Sequence, residues 1–224
     1  MTEEQTQIVE RTESFVKAKL EKESTGHDWW HILRVRNNAL NIARHETDPG
    51  DLFIIQLGAL LHDIADWKFN GGDLKAGSVV ATKWLTEQAV APAVIQHVCD
   101  IIESISFKGA RAKSAMKTIE GQIVQDADRL DALGAIGIAR AFAYGGHFDR
   151  SIYEPDVAPE THNTFEQYKN SKGHTINHFY EKLLLLKDRM NTKAGRTIAE
   201  QRHAYLEGFL QQFFLEWNGE DWRQ

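Results

Sequence analysis

Apolar residues recur every three or four positions along most of the chain, and strand-like alternation is almost absent. The pattern therefore predicts an all-α fold. Gly, Pro and polar clusters divide it into helices near residues 3–23, 30–43, 52–64, 78–88, 92–104, 118–143, 174–190 and 197–217.

Two of these segments stand out. Residues 52–64 are apolar on nearly every side, which predicts a central, buried helix with His62 and Asp63 at its C-terminal end. In the preceding helix, predicted near residues 30–43, Asp28 is a suitable N-cap. Residues 118–143 contain three glycines, interpreted as sites of close helix packing.

The segment 144–173 differs from the rest because it is rich in Gly, Pro and polar residues. Structureless stretches of this length are rare in compact domains and often form lids or binding loops. A lid or binding loop is therefore the prediction for this segment.

Composition narrows the class of protein. A chain of 224 residues and 25.5 kDa suits one domain. The net charge of −6 argues against nucleic-acid binding. The single cysteine, Cys99, cannot form an internal disulfide and fits a reducing compartment. Because neither an apolar signal core nor a membrane-length apolar run is present, a cytoplasmic protein is predicted. The sequence does not predict an oligomeric state.

Candidate chemistry lies in His31, the pair His62-Asp63, and Asp128. Imidazole and carboxylate can share a divalent metal of intermediate hardness, and four such ligands leave two octahedral positions for water or substrate. The mixture favours Mn, Fe, Co or Mg-like coordination over a closed structural zinc site. The alternative is that the His-Asp pair is accidental and that His31 only bonds a neighbour.

Three motifs carry a family resemblance. They are residues 26–31 (GHDWWH), 60–66 (LLHDIAD) and 126–131 (DADRLD). With them the chain resembles the HD-domain metal-dependent phosphohydrolase superfamily, and over nearly its whole length it is similar to a bacterial subgroup of small stand-alone HD proteins. The resemblance implies an all-α helical bundle and a single domain over residues 1–224. Its metal-binding core would span about 24–145, with the loop 144–173 and the helices of 174–217 packed on it.

The resemblance also implies a ligand set of His31, His62, Asp63 and Asp128. Asp128 is preferred to Asp126 because residues 127–130 align with the Ala-Asp-Arg-Leu run of ppGpp-hydrolysing relatives. The only histidine between the His-Asp pair and Asp128 is His97, so one metal ion is expected. Mn is the expected ion, with Mg, Fe, Co, Ni or Zn as alternatives.

The expected activity follows from the same subgroup, where at least one protein cleaves nucleoside triphosphates to monophosphate and pyrophosphate. Water activated by the metal would attack the phosphorus. Asp66, three residues after Asp63, is the candidate general base, or else a residue of the following loop. Lys68 and Arg34 are candidate phosphate-binding residues, or else surface or structural charges.

Other functions stay open at this point. They are a metal-dependent nucleotide sensor without turnover, and a phosphatase or phosphodiesterase acting on another phosphorylated small molecule. A di-iron oxygenase is disfavoured because few histidines accompany the motif.

Overall fold

The computed structural model describes residues 1–21, 28–65, 75–105, 116–160 and 173–223. None of these residues lies in a strand, so the predicted all-α class is confirmed. The helices are α1 (Glu3–Leu20), α2 (Trp29–His45), α3 (Leu52–Leu61), α4 (Ala76–Glu87), α5 (Pro92–Ser104), α6 (Ile119–Asp131), α7 (Gly134–His147), α8 (Thr175–Glu181) and α9 (Lys193–Asn218).

The starts of α2 and α3 are set by local polar side chains. Asp28 caps α2 by accepting a hydrogen bond from the backbone N–H of His31 at 2.9 Å. Asp51 caps α3 by accepting from the backbone N–H of Phe53 at 2.8 Å. Each cap satisfies an N–H that the first helical turn cannot pair, so these carboxylates fix where α2 and α3 begin.

The centre of the fold is α3. All of its residues from Phe53 to Leu61 are buried, and it packs against α1, α2, α5 and α6. Burying one Leu or Ile side chain stabilises a fold by roughly 1.5–3 kcal/mol. The predicted central helix is confirmed, and its packing holds the residues at its C-terminal end.

The long helix predicted over residues 118–143 is wrong, because the chain turns between α6 and α7. Leu133 is extended, and Gly134 takes a φ of +68°, a conformation that glycine adopts at little cost. Apolar residues keep their helical spacing across this turn, so the sequence pattern did not predict it. Gly134 therefore serves the turn rather than helix packing alone.

Replacing Gly134 with alanine is expected to destabilise the protein. A left-handed residue with a Cβ costs about 1–2 kcal/mol, and the added carbon would lie 3.2 Å from Arg202. The melting temperature should fall by about 2–4 °C for each kcal/mol. Gly208→Ala is the matched control: Gly208 is helical with open space around it, so this change should raise stability by about 0.5–1 kcal/mol. Equal effects of the two substitutions would contradict the assignment.

The C-terminal third also differs from the pattern. The helix predicted over 174–190 is only α8, followed by two 3-10 turns, Leu183–Leu185 and Lys187–Arg189. The helix breaks at Lys182, whose φ of −141° is not helical. The last helix, α9, starts at Lys193 rather than at 197, and Thr192 caps it. It packs against α2, α6 and α7.

The loop predicted over 144–173 starts too early, because α7 continues to His147. Part of the rest of the segment is ordered by bonds to α8. The carbonyls of Ser151 and Ile152 accept from the N–H groups of Thr175 and Ile176. The carbonyl of Val157 accepts from His174 and from Asn177. Residues 161–172 lie outside the described residues, so a lid or binding role for the segment stays a prediction. Within the described ranges, no helix combines the length and apolar character that a membrane span requires.

Candidate metal centre

Three helices bring the predicted ligands together. His31 is the third residue of α2, His62 and Asp63 directly follow α3, and Asp128 lies in α6. His31 is completely buried and His62 is 5% exposed. Their Nε2 atoms are 3.2 Å apart. Nitrogen and oxygen atoms of His31, His62 and Asp63 all lie within 4.8 Å of one another, and no other such group occurs among the described residues.

The second nitrogen of each imidazole is held by an acceptor. Nδ1 of His31 lies 2.7 Å from Oδ2 of Asp131, and Nδ1 of His62 lies 2.9 Å from the carbonyl of Ala59. Carbonyl and ionised carboxylate oxygens only accept, so both Nδ1 atoms carry protons and donate. The two Nε2 atoms are consequently the ones that face the centre.

Asp63 belongs to this group, and Asp128 lies beside it without being one of its members. Oδ2 of Asp63 lies 3.4 Å from Nε2 of both histidines. Oδ1 of Asp128 lies 3.5 Å from Nε2 of His31 and 3.9 Å from that of His62. The Asp128 side chain is 32% exposed, against 16% for Asp63. Asp128 thus borders the side of the cluster that is open to solvent.

This donor set fits a divalent cation. Both imidazoles carry their proton on Nδ1, so each Nε2 faces the carboxylates of Asp63 and Asp128 as a hydrogen-bond acceptor. Four acceptor groups this close together repel one another unless a positive charge lies among them. Burial lowers the pKa of His62, but the charges of Asp63 and Asp128 outweigh it and raise that pKa to about 9. Nitrogen and oxygen donors in this mixture suit Mn, Fe, Co, Ni or Zn.

Asp126 has a different environment from Asp128. It is fully buried and accepts hydrogen bonds from the backbone N–H groups of Asn191 and Thr192 and from both of their side chains. Burial raises the pKa of this carboxyl, and the hydrogen bonds from Asn191 and Thr192 oppose the rise. Asp126 anchors the start of α9, whereas Asp128 lies beside the histidines.

Comparison with known proteins adds to this geometry. The HD domain family model matches residues 29–133, from the start of α2 to the turn after α6. YpgQ of Bacillus subtilis is 38% identical over 205 residues, covering 91% of this chain and 90% of YpgQ. The chain belongs to the HD-domain family. The resemblance inferred from the HD motifs is confirmed.

Solved structures are similar to this HD-domain chain over nearly its full length. A Lactobacillus plantarum protein has a TM-score of 0.81 and 38% identity, covering 98% of this chain and 99% of its own. A Bacillus thuringiensis HD-superfamily hydrolase has a TM-score of 0.73 and 45% identity, covering 96% and 98%. YpgQ in complex with ADP has a TM-score of 0.72 and 33% identity, covering 94% and 95%. The HD-domain chain therefore has the fold of HD-superfamily hydrolases.

One residue of the HD-domain site was given no role by the sequence. Asp131, the last residue of α6, contacts His31, Arg34 and Arg140. Burial raises the pKa of Asp131, but the hydrogen bonds from His31 and Arg34 dominate and hold it well below its usual range. The available signal was its spacing, since Asp131 follows Asp128 by three positions and so lies one helical turn further along α6.

The structure places Arg34 on this carboxylate. Its Nε donates to Oδ1 of Asp131 at 2.7 Å, and its Nη2 donates to Oδ2 at 3.0 Å. The hydrogen bond with Asp131 raises the pKa of Arg34 despite partial burial. Nη1 takes no part in these two bonds, and the Arg34 side chain is 33% exposed.

Three further residues were considered for the HD-domain site: Asp66, Lys68 and His97. Asp66 and Lys68 lie outside the described residues. Nε2 of His97 lies 2.8 Å from Oγ1 of Thr118 and 3.6 Å from Oε2 of Glu120, and His97 does not join the group formed by His31, His62 and Asp63.

Proposed function

We propose that this protein is a metal-dependent phosphohydrolase that cleaves nucleotides, with nucleoside triphosphates converted to monophosphate and pyrophosphate. The observation that carries the proposal is the convergence of two imidazole Nε2 atoms and two carboxylates at a partly open centre. The crystal structure of the similar protein YpgQ with ADP supports a nucleotide as the ligand class. Phosphatase or phosphodiesterase action on another phosphorylated small molecule is the alternative reaction.

In this proposal His31, His62, Asp63 and Asp128 hold one divalent ion, with Mn as the proposed metal. A divalent ion in such a site supplies Lewis acidity and lowers the pKa of bound water. Asp63 and Asp128 bring two negative charges that would balance those of the ion. The exposure of Asp128 leaves a side from which a phosphorylated substrate can approach.

Asp66 is the proposed general base, and Lys68 and Arg34 are the proposed phosphate-binding residues. Asp66 would accept the proton of the attacking water, and the loss of that proton would be completed as the phosphoanhydride bond breaks. Lys68 and the outer nitrogen of Arg34 would bind the phosphate oxygens. Because Arg34 also holds Asp131, it would link the substrate to the residue that supports His31.

The residue ranges keep the division expected from the resemblance. Residues 24–145 would supply the metal-binding core. The helices expected within 174–217, which the structure gives as α8 and α9, would pack on it. The segment 144–173 would cover the substrate. The anchoring of Ser151, Ile152 and Val157 on α8 supports a fixed base for such a cover.

A substrate screen tests the proposal. Purified protein with Mn²⁺ would be given nucleoside and deoxynucleoside triphosphates, and the products separated by ion-exchange chromatography. Equal amounts of monophosphate and pyrophosphate are expected. Diphosphate with inorganic phosphate would favour a phosphatase. Tight nucleotide binding with no product, for every common divalent metal and with folded protein, would favour a sensor and refute the enzyme.

Asp66→Asn is expected to lower kcat while leaving metal binding unchanged. A positioned general base contributes about 10²–10⁴-fold, and the amide cannot accept the proton. The measurements are kcat at saturating nucleotide and the Mn²⁺ dissociation constant by calorimetry. Asp73→Asn, in the same segment of the sequence, is the control and should keep kcat. Loss of Mn²⁺ binding in Asp66→Asn would instead make Asp66 a ligand.

A further inference from the structure

The carboxylate of Asp131 joins three helices beside the metal centre. Asp131 ends α6, and its side chain is 2% exposed. It lies 2.7 Å from Nδ1 of His31 and from Nε of Arg34, both on α2, and 3.0 Å from Nη1 of Arg140 on α7. A buried carboxylate that receives donors from so many directions has a fixed position.

The fixed carboxylate determines which nitrogen of His31 carries the proton. Oδ2 of Asp131 can only accept, so Nδ1 of His31 donates. The lone pair of Nε2 is then directed at His62 and Asp63. Without this acceptor the buried ring could carry its proton on Nε2, where an N–H would exclude a cation.

The two arginines hold the carboxylate itself. Arg34 contacts both oxygens through Nε and Nη2, a bidentate arrangement that fixes the plane of the carboxylate. Arg140 contacts Oδ2, the oxygen that also faces His31. Arg140 reaches this place because the chain turns at Gly134 and α7 starts directly after α6.

We propose that Asp131 is a positioning residue that fixes the tautomer and the orientation of His31, and that Arg140 holds Asp131 in place from α7. The inference rests on the proposed role of His31 as a metal ligand. Partners that orient metal-binding histidines are typically worth about 10–100-fold in metal affinity. Asp131 acts on the metal through His31 and does not contact it.

Asp131→Asn tests the inference with little change of shape. Oδ2 receives His31, Arg140 and Nη2 of Arg34, whereas Oδ1 receives Nε of Arg34. The amide NH₂ group must take one of these two positions, so it turns a donor towards either His31 or Arg34 and breaks part of the arrangement that holds the ring. Mn²⁺ binding should weaken by about 10–100-fold. In metal-free natural protein, long-range ¹H–¹⁵N correlation spectra should show His31 with its proton on Nδ1 and an unprotonated Nε2.

Asp126→Asn is the matched control. Asp126 lies on the same helix and is equally buried, but its partners are Asn191 and Thr192. This variant should melt at a lower temperature and bind Mn²⁺ within about twofold of the natural protein, measured well below the melting transition. A purely structural role for Asp131 predicts that both variants behave alike, and that result would overturn the inference.

Arg140→Gln covers the case in which Asp131→Asn does not fold. It removes one support of the carboxylate and should weaken Mn²⁺ binding by about tenfold, the lower end of the range. Unchanged Mn²⁺ affinity in folded Arg140→Gln, or a His31 proton on Nε2 in the metal-free natural protein, refutes the inference. Neither measurement uses a nucleotide. A failure of nucleotide turnover would therefore refute the proposed reaction but would leave the inference about Asp131 unchanged.

Discussion

His62→Ala is expected to abolish Mn²⁺ binding and nucleotide hydrolysis together. His62 is the residue whose Nε2 lies closest to that of His31, at 3.2 Å, and it is 5% exposed. Its removal takes away one of the two proposed nitrogen ligands and leaves Asp63 and Asp128 to repel each other. The loss of metal affinity should exceed about a hundredfold, the upper limit for a supporting residue.

The measurement is a Mn²⁺ titration by calorimetry together with kcat/KM for the best nucleotide. The matched control is His97→Ala, which removes an imidazole from α5 whose partners are Thr118 and Glu120. The control should keep both values within about twofold. Hydrolysis that persists in folded His62→Ala protein would mean that the chemistry lies elsewhere.

Asp128→Ala should affect metal binding and activity, whereas Asp126→Ala should affect stability. Asp128 lies 3.5 Å from Nε2 of His31, so its loss should weaken Mn²⁺ binding and abolish hydrolysis while the fold persists. Asp126 pairs with Asn191 and Thr192, so its loss leaves buried N–H groups unsatisfied. Each such group costs about 1–3 kcal/mol, and Asp126→Ala should therefore be strongly destabilised.

Chemical denaturation and a Mn²⁺ titration of each variant separate the two roles. The titration is made at low temperature and only on protein that is folded by circular dichroism. Loss of Mn²⁺ binding in folded Asp126→Ala, with normal binding in Asp128→Ala, would reverse the ligand assignment.

The pair also shows what the sequence could and could not predict. Both carboxylates lie in one helical run, and residues two apart on a helix point about 200° apart. The pattern therefore says that only one of them can face the histidines. The helical pattern alone does not say which, and the choice of Asp128 came from the family resemblance. The partners that distinguish Asp126, Asn191 and Thr192, lie some 65 residues later in the chain.

Local features were the predictable ones. Asp28 caps α2, and the apolar run of α3 is central, because each depends on a few neighbouring residues. The turn at Gly134 was missed because apolar spacing continues across it, and the left-handed backbone leaves no mark except a glycine. The role of Asp131 was missed because its partners come from α2 and α7.

The position of His62 has a consequence for electrostatics. It follows the last residue of α3, and its ring bonds the carbonyl of Ala59 in the final turn. The aligned peptide dipoles of a helix place about half a negative charge at that end. His62 and Asp63 therefore lie at the negative C-terminal end of the buried helix α3. The backbone dipole at that end attracts a cation in addition to the charges of the side chains.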